Sequence, residues 1–127
     1  MRALVTGLFV TDVRRAHEFY TRVLGWRDVL VVPDEELCIL GPGSGWERGC
    51  QLNLEPVEDE VTRAFTRHRY REGLAAIMLA VDDAEMEYRR LKDLGGIVFR
   101  EELTRDVIGL HFQIEDGCGN ILSIHED

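Results

Sequence analysis

Two histidines near the end of the sequence are the residues whose type and spacing best suit chemistry. His111 lies in GLHFQIED and His125 in NILSIHE, and both segments alternate apolar with polar side chains, as a half-buried strand does. The alternating polar positions of these two predicted strands hold four side chains: His111, Gln113, Ser123 and His125. Two imidazoles with Gln51 as a third donor would form a weak transition-metal site, and a histidine would also serve as a general base.

A second interpretation gives the pair no chemical role and treats both residues as partly exposed strand histidines near the chain end. His17 falls in a predicted helix and His68 in a charged connecting segment, so neither adds an obvious third imidazole. A shift of one residue in either strand would also exchange its two faces. The sequence leaves both interpretations open.

Composition and charge restrict the classes of function. The 127 residues suit one compact domain, and 45% hydrophobic with 31% charged residues is typical of a folded globular protein. A net charge of −9 disfavours nucleic acid and anionic membranes, which need clustered cations. No apolar run approaches the roughly 20 residues of a membrane-spanning helix, so we expect neither kind of partner.

The cysteines indicate a reducing compartment. Cys38, Cys50 and Cys118 are odd in number and widely spaced, which disfavours a disulfide framework and predicts a cytoplasmic protein. Because no Cys-x-x-Cys pair occurs, a structural zinc site is not expected either.

The segments before and after the middle of the chain repeat one order of elements. Residues 2–10 predict a strand, and TDVRRAHEFYTRVLGW predicts a helix with Asp12 as its N-cap, followed by three short strands. The same order returns at an offset of 71 residues, which pairs Leu8 with Leu79 and Asp12 with Asp83.

This duplication predicts an α+β fold of two tandem βαβββ modules. The expected boundaries within a single domain over 1–127 are module one at 1–55, a linker at 56–72 and module two at 73–127. One helix covers one face of each sheet, so the other face stays available. Two such modules, placed side by side in one chain or contributed one each by two chains, would form a curved mixed sheet around a cavity.

Two motifs carry a resemblance to a known family. V-x-D-x-x-x-A-x-x-FY-x-x-V-LG spans Val10 to Gly25, and D-x-x-GN-x-L spans Asp116 to Leu122. With the duplicated βαβββ order, they resemble the vicinal oxygen chelate superfamily, which includes glyoxalase I, extradiol dioxygenases and bleomycin-resistance proteins. The resemblance covers essentially the whole chain and implies the glyoxalase/bleomycin-resistance fold.

The resemblance also implies where a metal site would lie. The family's metal ligands, taken position by position, fall on Val5, Gln51, Ala76 and Ser123, with Asn53 replacing Gln51 if the register slips by two. Valine and alanine have no donor atom, and serine and glutamine are poor neutral ligands. We therefore expect no metal cofactor at this site.

The positions that would face the cavity combine an apolar wall with a polar, uncharged one. The candidate ligand-binding residues are Val5, Gly7, Phe9, Ala76, Met78 and Ala80 on the apolar side, and Gln51, Asn53, His111, Gln113, Ser123 and His125 on the polar side. Such a mixture suits an organic ligand with aromatic or aliphatic bulk and a few hydrogen-bonding groups.

The sequence therefore favours a metal-independent binding protein that sequesters or senses a small organic molecule. The resemblance to bleomycin-resistance proteins, which trap a cationic drug between two subunits, implies a homodimer and a ligand that is cationic or aromatic. The alternative is a glyoxalase-like lyase, isomerase or dioxygenase in which His111, His125 and Gln51 form a non-standard metal site. A third possibility is a subunit that only binds a protein partner. Such a subunit would show no response to small ligands.

Overall fold

The computed structural model describes residues 1–43 and 49–127, which form two compact units, Met1–Arg63 and Ala64–Asp127. The helices and strands, in chain order, are β1 (Val5–Val10), α1 (Val13–Glu18), β2 (Arg27–Val32), β3 (Leu37–Gly41), β4 (Gln51–Pro56), α2 (Glu60–Arg71), β5 (Ile77–Val81), α3 (Ala84–Leu94), β6 (Phe99–Asp106), β7 (Gly109–Glu115) and β8 (Ile121–Glu126). Each unit contains one four-stranded sheet, ordered β1-β4-β3-β2 in the first and β5-β8-β7-β6 in the second. The predicted α+β class and the repeated βαβββ order are confirmed.

In the first unit, α1 covers one face of the sheet. Asp12 caps the helix, because its Oδ1 accepts the backbone N–H of Arg15 at 3.1 Å. A π-helical turn over Phe19–Val23 continues α1, and Gly25 ends the helical segment with a φ of 77°. α1 packs against β4, and Ala16 and Tyr20 are fully buried.

In the second unit, α3 is held on its sheet by an aromatic cluster. Asp83 caps the helix through the N–H of Met86 at 2.9 Å, as Asp12 caps α1. Tyr88 of α3 packs edge-to-face against Phe99 of β6 and Phe112 of β7, with ring centroids 5.2 and 5.3 Å apart. Phe112 is fully buried, so this cluster lies in the core of the unit.

The segment 56–72, predicted as a connector, contains α2, and the boundary between the two compact units falls within that helix. None of its residues is buried. Its C-terminal end is tied to the second sheet, because the Tyr70 hydroxyl donates to the carboxylate of Glu115 at 3.0 Å. Arg100 pairs with the same carboxylate at 3.2 Å.

The D-x-x-GN-x-L motif forms the turn between β7 and β8. Asp116 is buried, and its Oδ1 accepts the backbone N–H groups of Cys118 and Asn120 at 2.7 and 3.1 Å. Its Oδ2 accepts the side-chain amide of Asn120 at 2.9 Å. Gly117 and Gly119 adopt φ values of 72° and 96°, a region that favours glycine. The motif therefore stabilises this turn, and the turn determines where β8 begins.

Within the described part of the chain, no helix has the length and apolar character needed to cross a membrane.

Candidate functional site

One face of the second sheet brings the two candidate histidines together. The ladder registers pair His111 with His125, Gln113 with Ser123, Met78 with Ser123 and Ala80 with His125. Paired residues in a sheet share a face, so these six side chains lie on the side opposite the aromatic core around Phe112. Met78 is 64% exposed, whereas His111 and Ser123 are buried.

The two imidazoles stack on one another, with ring centroids 5.1 Å apart and an interplanar angle of 15°. His111 Nε2 lies 2.9 Å from Asp106 Oδ2, and His125 Nε2 lies 2.7 Å from Ser123 Oγ. Because a carboxylate only accepts, Nε2 of His111 must carry a hydrogen. His111 Nδ1 is buried without a hydrogen-bond partner, 3.9 Å from Glu101 Oε2.

Burial favours a neutral His125, and hydrogen bonding favours an ionised Asp106. Burial lowers the pKa of His125, and repulsion from His111 lowers it further, while Asp106 and Glu101 act in the opposite direction. The pKa of Asp106 is lowered, first by the hydrogen bond from His111 and then by the backbone N–H of Ile108.

A metal-binding imidazole directs a nitrogen lone pair at the ion, commonly while its other nitrogen donates to a carboxylate. In His125 the Nε2 atom is hydrogen-bonded to Ser123, whereas His111 keeps an unpartnered lone pair on its buried Nδ1, because its Nε2 donates to Asp106. Among the residues that the structure describes, no group of three or more histidine, cysteine, aspartate or glutamate side chains is arranged to hold an ion. The stack is instead suited to hydrogen bonding and to packing against an organic group.

Strands β1 and β4 of the first sheet present a face with one charged side chain, Glu55. On this face β1 and β4 pair in parallel, Val5 with Gln51, Gly7 with Asn53 and Phe9 with Glu55. Val5 and Phe9 are each 38% exposed, whereas Leu8 and Leu54, on the opposite face, are buried beneath α1. The predicted candidates of β1 and β4 therefore share one accessible surface.

The four positions that correspond to the family's metal ligands hold no charged donor. Val5 lies directly across the ladder from Gln51. Ala76 immediately precedes β5 and donates its N–H to the carbonyl of Ile121 at 2.8 Å. The Ser123 hydroxyl is hydrogen-bonded to His125. A divalent ion needs anionic or imidazole ligands here, and these residues do not fit one.

Sequence reasoning missed three carboxylates that lie near these two faces: Glu55, Glu101 and Asp106. Glu55 could have been predicted, since alternation along β4 places it on the same face as Gln51 and Asn53. Its carboxylate lies over Gly7, where an added Cβ would come within 2.3 Å of Oε2. Asp106 was not detectable, because its contact with His111 depends on where the β6–β7 hairpin turns.

A separate cleft of about 450 Å³ lies in the first unit, lined by residues of α1, β2 and β3 together with the segments that flank them. It contains none of the predicted ligand-binding residues. Burial raises the pKa of Cys38, in its wall, to about 11, and the charge of Asp28 acts in the same direction. The thiol stays protonated at neutral pH, so Cys38 is not an activated nucleophile.

The sequence and the fold each have known relatives. Residues 2–124 match the Glyoxalase/Bleomycin resistance protein/Dioxygenase superfamily. The uncharacterized protein YurT of Bacillus subtilis (strain 168) is similar over 127 residues, with 34% identity and 98% of both chains covered.

Solved structures share the fold at lower sequence identity. UcmS2 superposes with a TM-score of 0.78 and 23% identity, covering 100% of this chain and 98% of its own. TnmS3, an antibiotic binding protein from Streptomyces sp. CB03234, gives a TM-score of 0.73 and 16% identity, covering 99% and 95%. The predicted family resemblance is confirmed: this chain belongs to the glyoxalase/bleomycin resistance protein/dioxygenase superfamily.

Proposed function

We propose that this protein binds a small organic molecule without a metal ion and without converting it chemically. The proposal rests on the residues at the four positions where the family binds its metal ion: Val5, Gln51, Ala76 and Ser123. Two of them have no donor atom, and Ser123 is hydrogen-bonded within its own strand to His125. The superfamily scaffold is present, while the charged groups that would hold its metal are not.

The two accessible sheet faces support a ligand with apolar bulk and a few hydrogen-bonding groups. On the first sheet, Val5 and Phe9 expose apolar surface on the face that carries Gln51. On the second sheet, Met78 exposes apolar surface on the face that carries Gln113. This mixture is common in sites for drug-sized molecules. Aromatic and cationic compounds, including antibiotics of the kind that TnmS3 binds, are the ligand class we propose. We also propose a cytoplasmic homodimer.

The competing function is a metal enzyme that uses His111 and His125. His111 would bind through its buried Nδ1 while Nε2 keeps its hydrogen bond to Asp106, and the two rings would have to separate from the stack to direct their lone pairs at one ion. The stacked arrangement favours binding, and the two functions differ in whether metal changes the response to ligand.

A thermal-shift screen of aromatic and cationic compounds, with and without a chelator, tests the proposal. We expect ligands that raise the melting temperature equally under both conditions. Phe9→Ala should weaken the strongest of them, whereas Val107→Ala, which removes a fully exposed apolar side chain at the β6–β7 turn, should not. Stabilisation that requires added metal, or turnover of a bound compound, would contradict the proposal.

A further inference from the structure

Glu55 is the one charged side chain in the paired β1–β4 face, and Gly7 gives it room. A Cβ built on Gly7 would lie 2.3 Å from Glu55 Oε2 and 3.4 Å from its Cδ, so the carboxylate occupies the space that any other side chain would fill. Gly7 does not adopt a positive φ, and its backbone would accept alanine without strain. A side chain at this position would therefore displace the Glu55 carboxylate, which glycine leaves in place over the strand.

The carboxylate has no compensating charge within the described residues. Glu55 is half-buried, and no hydrogen bond or ion pair engages it in the part of the chain that the structure covers. Its neighbours on the face are Phe9 across the ladder and Asn53 on the same strand, both uncharged. A carboxylate withdrawn from water among neutral groups is stabilised by a cation, and a desolvated pair is screened less by salt than one at the surface.

We propose that Glu55 selects ligands that carry an organic cation, an ammonium, amidinium or guanidinium group attached to an aromatic or aliphatic body. The cation pairs with the carboxylate above Gly7, and the body lies against Val5 and Phe9, which are each 38% exposed. The net charge of −9 attracts such ligands over longer distances. This inference rests on the proposed binding function and names Glu55 as the residue that determines which ligands the protein binds.

Benzamidine and benzamide form a matched pair of probes, because they have nearly the same shape and differ in charge. We expect benzamidine to bind the full-length protein about tenfold more tightly than benzamide, since a hydrogen bond to an ionised partner is the stronger one. Two-dimensional ¹⁵N NMR titrations give both dissociation constants, and the perturbed amides should lie in β1 and β4.

Three variants isolate the carboxylate. Glu55→Gln should abolish the preference by weakening benzamidine binding about tenfold relative to benzamide. Gly7→Ala should reduce the preference by displacing the carboxylate, and should add little in the Glu55→Gln background. Glu58→Gln removes the same charge from an exposed residue beyond β4, and should keep the preference.

The inference is overturned if the two probes bind equally, if Glu55→Gln and Glu58→Gln have the same effect, or if neither probe perturbs β1 and β4. Equal binding of both probes to β1 and β4 would remove the charge selectivity and leave the binding function standing. A compound screen without any metal-independent ligand would instead remove the binding function itself. The two failures are therefore distinguishable.

Discussion

His111 and His125 stack across the β7–β8 ladder, and their Nε2 atoms contact different oxygens, Asp106 Oδ2 at 2.9 Å and Ser123 Oγ at 2.7 Å. The pair that the sequence marks for chemistry is thus built into the sheet by its own hydrogen bonds. This relationship makes the histidines part of a binding surface with fixed hydrogen-bonding groups, and it makes the stability of the second unit sensitive to pH.

Stability should fall in two steps as the pH is lowered. The pKa of folded His125 lies below its ordinary value, mainly through burial, so the unfolded chain binds more protons below about pH 6.5. Its contribution is complete above that pH and is lost as the pH falls towards the folded pKa. The contribution of Asp106, whose pKa is lowered by His111, is present above about pH 3.9 and is lost below it.

Melting temperatures measured across this range by calorimetry check the sign. His125→Gln should flatten the dependence between about pH 7 and 5, whereas His68→Gln, at an exposed position of α2, should not. Equal slopes for the wild type and His125→Gln would contradict the assignment to His125.

Asp116→Ala should lower the free energy of unfolding by about 2–6 kcal/mol. The substitution leaves the buried N–H groups of Cys118 and Asn120 without their acceptor, at about 1–3 kcal/mol each. Urea denaturation measures the change, with Asp93→Ala at an exposed position of α3 as the control. A loss no larger than that of the control would mean that the turn does not depend on this carboxylate.

Phe112→Ala should be more destabilising, by about 3–5 kcal/mol, because it opens a cavity beside Tyr88 and Phe99. Denaturant unfolding should show it clearly against Val107→Ala, whose fully exposed side chain predicts a change within about 0.5 kcal/mol. If Phe112→Ala costs less than about 1 kcal/mol, the aromatic cluster does not hold α3 on its sheet.

The proposed homodimer makes a prediction about mass. Light scattering of the purified protein at micromolar concentration should give twice the 14.6 kDa of one chain. If only the mass of a single chain is found under those conditions, the dimer is excluded. The ligand would then have to bind within one chain.

The sequence predicted the strands and the helices of both βαβββ modules in the correct order, because its apolar periodicity and its Asp12 and Asp83 caps are local signals. The helix α2 lies in the segment that was predicted as a connector. Strand ends were less accurate. The first strand was predicted from residue 2 but begins at Val5, where its ladder with Gln51 begins. A strand requires a partner, and the partner's ends are not a local property of the sequence. The π-helical turn after α1 likewise had no local signal.

Contacts between distant residues account for what sequence reasoning missed in the candidate site. The position of Glu55 over Gly7 depends on the parallel register of β1 and β4. The contact of His111 with Asp106 depends on a turn and on register shifts in the β6–β7 ladder. Which residues share a face follows from alternation along a strand, whereas which side chains meet on that face follows from the pairing of strands.

Elemental mass spectrometry of protein purified without a histidine tag or a chelator shows whether the protein carries a metal ion. The donor-poor set at Val5, Gln51, Ala76 and Ser123 predicts far less than one metal ion per chain. Stoichiometric nickel, zinc, iron or manganese that is lost on replacing His111 or His125 would contradict metal-independent binding and would establish the metal enzyme in its place.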